Sequence, residues 1–131
     1  MPSDKLDSYA DADSVKDLKF AVESGSAGEA IATENGYNAT AVTAQSDALL
    51  EVASGSADAC IIDITMVNAM TGEGTSYADL SYKLELSTEE YGVGFRKGSD
   101  LADLLNDYLA QVKADGTLTA LAEKYQLTLA D

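Results

Sequence analysis

From Leu18 onward, short apolar runs alternate with helical patterns, and this alternation constrains the fold more than any other feature of the chain. Residues 18–23 read as a strand, and residues 26–35 as a helix ended by Gly36. Residues 39–43 read as a second strand, and residues 46–54 as a second helix ended by Gly55. The run 57–64, apolar through Ala59, Cys60, Ile61 and Ile62, carries the pattern of a strand buried on both faces. Residues 65–70 suggest a short helix closed by a turn at Gly72 and Gly74, and residues 80–86 and 91–96 suggest two further strands. Strand–helix alternation of this kind predicts an α/β fold: a three-layer, open, mostly parallel sheet flanked by helices.

The two ends of the chain differ from this middle. Residues 100–114 carry Leu101, Leu104, Leu105, Tyr108, Leu109 and Val112 at helical spacing, and residues 118–125 carry Leu118, Leu121, Ala122 and Tyr125 on one side. Both stripes need something to pack on. Residues 1–16 are polar and acidic, with Asp4, Asp7, Asp11 and Asp13, and read as a surface segment or linker. They lack the glycine and the distal glutamate of a calcium-binding EF-hand loop.

Composition removes several functional classes. With 131 residues and 46% hydrophobic content, the chain suits one compact domain rather than a disordered tail. Twenty-three Asp and Glu against eight Lys and Arg leave a net charge of −15, which repels nucleic acid and anionic lipid. There is no histidine, so histidine-based acid–base chemistry, a Ser–His–Asp triad and histidine zinc sites are excluded. The single cysteine, Cys60, excludes an intrachain disulfide and reads as a small buried hydrophobe. Neither a cofactor nor a metal finds support. No apolar stretch approaches a membrane span, and the N-terminus shows no signal-peptide pattern.

Three features carry candidate chemistry. Ser24, Gly25, Ser26, Ala27, Gly28 and Glu29 lie between a strand and a helix, where Ser26 and Glu29 fit a capping box. The same turn, with helix N–H groups and glycines that allow close approach, suits a carboxylate or phosphate; a plain helix cap is the simpler reading. It lacks the Gly-Lys-Ser/Thr of a nucleotide P-loop. Asp63 stands at the carboxyl end of the apolar strand, where open α/β sheets bind ligands, and reads equally as an ammonium partner or as the cap of the next helix. Gly92 and Gly94, beside Tyr91, imply a bend or a close backbone contact, or a bulge with no function. Thr43, Gln45, Ser46 and Thr65, at strand–helix junctions, would bind a ligand or cap helices. No carboxylate pair and no activated nucleophile point to an enzyme.

In this order, the Ser24–Gly28 motif, Gln45 with Leu49 and Leu50, and the run from Ser54 through Gly55, Asp58 and Cys60 to Asp63 resemble the bacterial extracellular solute-binding proteins of family 3. The likeness continues through Glu90, Tyr91, Gly92, Val93, Gly94, Phe95, Arg96, Lys97, Gly98, Ser99 and Asp100. It ends in Ala114, Asp115, Gly116, Thr117 and Leu118, then Glu123, Lys124 and Tyr125. It spans residues 18–127.

The resemblance implies an amino-acid receptor of an ABC importer, with two α/β lobes joined by two crossover strands and the ligand clamped between them. Ser24, Ser26, Ala27 and Gly28 would meet the ligand α-carboxylate, Asp63 its α-ammonium, and Gln45 the cleft edge. Tyr91 would lie on the second crossover strand. Residues 1–17 would form an acidic linker or hinge segment, 18–90 lobe two, and 91–131 the crossover strand and C-terminal helices of lobe one. Most of lobe one, with the arginine that grips the carboxylate and the aromatic residues that sandwich the side chain, has no counterpart here, and the family does not use the position of Arg96 for the ligand.

The expected ligand is a polar amino acid, bound by this chain alone weakly, at millimolar concentration or above, or not at all, because one open face supplies half the contacts. The expected partner is an ABC permease, and the expected location extracellular or periplasmic, membrane-associated as part of a longer protein. The stripes of the two C-terminal helices would be covered by folding back or by a homodimer that exchanges the C-terminal segment. Enzymes on the same fold form a competing class, disfavoured by the missing histidine. An interaction or sensor lobe that binds no small molecule is the other alternative, and the placement of Asp63 and the Ser24–Gly28 turn discriminates between it and a receptor.

Overall fold

The structure, a computed structural model, describes residues 1–130. The chain divides into two compact units, Met1–Ser87 and Thr88–Asp131. In the first, strands β1 (Lys19–Glu23), β2 (Asn38–Val42) and β3 (Ala59–Ile61) form a parallel three-stranded sheet in the order β2-β1-β3. Helices α1 (Ala27–Glu34), α2 (Gln45–Ala53) and α3 (Ile64–Met70) follow the three strands in turn. The fold is α/β, with helices flanking the sheet.

The layers follow from side-chain alternation along the strands. Phe20, Val22 and Ala59, with Ile61 packed against them, meet Ala32 of α1 and Tyr37 on one face. Cys60 and Ile62 point the other way and pack with Leu49 and Val52 of α2 and with Leu80. The Phe20 and Tyr37 rings stack with centroids 4.9 Å apart. The central strand is the most buried, with Phe20, Ala21 and Val22 all inside.

Four expectations need correction. Residues 1–17 are not merely a surface linker: a 3-10 helix spans Ser3–Ser8, Val15 is only 2% exposed in the core, and the Tyr37 hydroxyl donates to the Ala12 carbonyl at 2.9 Å. Aspartates dominate the composition there, but buried Val15, with Met1 and Tyr9 packed against the same cluster, anchors the segment. Strand β3 covers three residues rather than eight, because Asp63 starts α3, and as an outer strand it leaves Cys60 and Ile61 half-buried.

Residues 80–86 form no strand; Leu80 makes one antiparallel bridge to Pro2. Their apolar alternation is nevertheless used, since Leu80 packs in the cluster around α2 while Leu84 and Leu86 pack on the opposite cluster. Tyr82, between them in the alternation, is 42% exposed, so the period-two pattern here records neither a ladder nor one buried face. Residues 91–96 also form no strand. Tyr91 is 84% and Val93 68% exposed, and a Cβ built on Gly92 or Gly94 meets nothing within 4 Å, so neither glycine answers a close backbone approach.

The second unit holds α4 (Leu101–Ala114) and α5 (Thr117–Tyr125). Gly116 turns between them at φ +85°, a left-handed conformation that glycine adopts without a Cβ clash. Asp115 accepts a hydrogen bond from the Thr117 amide at 2.9 Å, satisfying an N–H of the first turn of α5. No residue of α4 is buried, and Leu101, Leu104, Tyr108, Leu121 and Tyr125 stay exposed.

Candidate functional site at the carboxyl edge of the sheet

The strand order sets where a site can form. From β1 the chain crosses to β2 on one side, then passes back over β1 to β3 on the other. The direction reverses between β1 and β3, and in open α/β sheets the crevice outside the carboxyl ends of the strands at such a reversal is the usual ligand position. The candidate residues of the first unit lie along this edge: Ser24, Ser26, Ala27 and Gly28 after β1, Gln45 after β2 and Asp63 after β3.

Two contacts bring these segments together. The Gln45 side-chain oxygen accepts a hydrogen bond from the Asp63 backbone N–H at 3.0 Å, joining the start of α2 to the end of β3. Gly28 is buried against β3: a Cβ built there would lie 2.6 Å from the Ile61 carbonyl oxygen, so only glycine fits. The β1–α1 turn is thereby held against the strand that leads to Asp63.

The local chemistry is that of helix capping. Ser26 accepts from the Glu29 amide at 3.2 Å, the first bond of a capping box, while the Glu29 carboxylate reaches one residue further back, to the Gly25 amide at 2.7 Å, because the Ser26 amide donates to the Glu23 carbonyl. Gly25 sits at φ +75°, which shapes the turn that presents its amide. Asp63 is the N-cap of α3; its carboxylate accepts from the Thr65 amide at 2.8 Å and from the Thr65 hydroxyl.

Electrostatics distinguish the two ends of a would-be ligand. Residues 23–29, 43–47 and 62–65 contain Glu23, Glu29, Asp47 and Asp63 and neither Lys nor Arg. Such an edge favours an ammonium group. A carboxylate would find only the N–H groups of the first turn of α1, where Glu29 already supplies a negative charge. Sequence reading identified Ser26 and Glu29 as a pair but did not foresee how the Glu29 carboxylate would weigh against a second anion.

Tyr91 belongs to the second unit, outside regular structure. Thr65, a junction candidate, serves Asp63 through both its amide and its hydroxyl. One feature had no contiguous sequence signal. An open hollow of about 310 Å³ is lined by Lys19, Asn38, Thr40, Glu51 and Ser56, drawn from β1, β2, the end of α2 and the turn after it. No group of three His, Cys, Asp or Glu side chains among the described residues is arranged to hold a metal ion. No helix among them is long and apolar enough to cross a membrane.

No family model matches the chain, and no curated protein or solved structure matches it significantly.

Proposed function

We propose that this chain is lobe two, with the C-terminal helices, of a two-lobed receptor for a polar amino acid, and that the carboxyl edge of its sheet is half of the ligand site. The observation that carries this reading is the meeting of three sequence-distant segments at the β1/β3 reversal, tied by the Gln45–Asp63 hydrogen bond and the Gly28–Ile61 contact. In this role Asp63 receives the α-ammonium group. A carboxylate accepts several hydrogen bonds at once, so capping α3 is compatible with that task. Ala27 and Gly28 offer helix N–H groups to the carboxylate, while Ser24 and Ser26, whose amides already donate to the Val42 and Glu23 carbonyls, offer their hydroxyls. Gln45 holds the edge in register, and Tyr91 is assigned to the ligand by resemblance alone.

The acidic edge implies a division of labour: this lobe recognises the ammonium end, and the carboxylate is gripped chiefly from the other lobe. The resemblance adds an ABC permease as partner and an extracellular or periplasmic setting, with membrane association in a longer protein. A second reading, an interaction or sensor lobe that binds no small molecule, draws support from Glu29 and Asp63 both serving as helix caps.

The test is an NMR titration of the labelled chain with polar amino acids and with their carboxamides, which keep the ammonium and lose the carboxylate. The expected result is saturable amide shifts at Asp63 and Gln45 with a dissociation constant of about 1 mM or weaker, little changed in the carboxamide and lost in Asp63→Asn. Absence of saturable shifts with every compound would sink the receptor reading and favour the interaction lobe.

A further inference from the structure

Strand β2 is the outer strand of the sheet, and its free side has no partner among the described residues. Outer strands normally carry a device against unwanted pairing: a lysine, a proline, a bulge, very short length or a covering element. Strand β3, the other outer strand, is three residues long and runs straight into Asp63 and α3. Strand β2 has none of these. Asn38, Ala39, Thr40, Ala41 and Val42 contain no charge and no proline, and their register with β1 runs unbroken over all five pairs. Asn38 through Ala41 are exposed.

Charge narrows the choice of partner. The chain carries −15, so two copies repel over most of their surfaces. Residues 35–46, which contain β2, are the longest stretch without a charged side chain. It is therefore the segment at which a second copy can approach with the least local repulsion.

We propose that the outer edge of β2 is a self-association edge, where two copies of this chain pair antiparallel about a two-fold axis through Thr40. This register sets Thr40 against Thr40, Ala39 against Ala41 and Asn38 against Val42, so no like charges oppose one another and small side chains meet at the seam. The pairing joins two three-stranded parallel sheets into one mixed sheet, a common arrangement. The hollow lined by Asn38 and Thr40 leaves room beside the seam on the α2 face. This inference stands independently of the receptor reading, since it uses none of the carboxyl-edge residues.

The test is light scattering on the whole chain over a concentration series to roughly 1 mM, a range in which small contacts register. The wild type should move from one-chain to two-chain mass. Added salt should tighten the pair, because it screens like charge rather than weakening ion pairs. Thr40→Lys and Thr40→Glu each put like charges face to face and should weaken pairing by roughly two- to fivefold. An equimolar mixture of the two should restore it. Mixing Ala39→Lys with Ala41→Glu reads the same register, and circular dichroism confirms that each variant is folded. A wild type that stays one chain at 1 mM in high salt overturns the proposal. So does a dimer indifferent to both Thr40 variants, which would pair elsewhere, or a mixture that fails to rescue.

Discussion

The two units solve the same problem, a helix with one apolar stripe, in opposite ways. In α2, Ala48, Leu49 and Val52 are buried against the sheet. In α4, a helix of 14 residues with Leu101, Leu104, Leu105, Tyr108 and Leu109, no residue is buried. Both sequences carry helical periodicity. The difference is that α2 is enclosed between two strands that force it back onto a sheet, while the neighbour α4 packs on is α5, a second short helix. Periodicity makes a stripe; a neighbouring surface makes it a core.

The largest effect that tests this contrast comes from truncating one leucine in each unit. Leu49 is 2% exposed, and Leu49→Ala should cost about 2–5 kcal/mol through lost burial and the cavity left behind. Leu104 is 59% exposed, and Leu104→Ala should stay within about 0.5 kcal/mol. Urea unfolding of both variants decides it: equal losses would mean that α4 is packed as tightly as α2, and the contrast would fail.

Glycines sharpen the comparison at a smaller scale. Gly28→Ala drives a Cβ into the Ile61 carbonyl and should destabilise by about 1–3 kcal/mol. Gly92→Ala meets open space and should be neutral to about 1 kcal/mol stabilising, because it narrows the unfolded ensemble. Thermal unfolding of the two variants measures the difference, and a loss in Gly92→Ala matching that of Gly28→Ala would show a hidden requirement for glycine in residues 91–96.

The smallest effect is a pH response within the second unit. Hydrogen bonds from Thr117, first its hydroxyl and then its amide, hold the Asp115 carboxyl below its ordinary value of 3.8. A depressed carboxyl favours the folded helix start above that value, and the contribution is lost as pH falls through the folded value. The Thr117 amide resonance should therefore titrate with a midpoint below pH 3.8. A midpoint at or above it would mean that the cap is not formed in solution.

Much of this was legible before any coordinates. Gly36 and Gly55 stood where α1 and α2 end, both helices lay within a residue of their expected bounds, and Ser26 stood where α1 is capped. These are local matters, set by spacings of a few residues. The expected strands over residues 80–86 and 91–96 failed because a strand exists only by pairing, and no stretch of sequence shows whether a partner edge is on offer. At the site, Gln45 and Asp63 were each identifiable as polar residues at junctions, but their mutual hydrogen bond spans 18 residues of sequence and depends on the strand order.

By itself, then, the sequence determined the α/β class, the ends of α1 and α2 with the Ser26 cap, and a net charge of −15. Only the tertiary structure decided that β1 lies between β2 and β3, that Gly28 must press on Ile61, and that Asp63 holds the start of α3. Local signals report backbone preference and side-chain polarity, which each residue carries alone. Strand order, edges and burial are properties of pairs of segments, and they come into being only when distant parts of the chain meet.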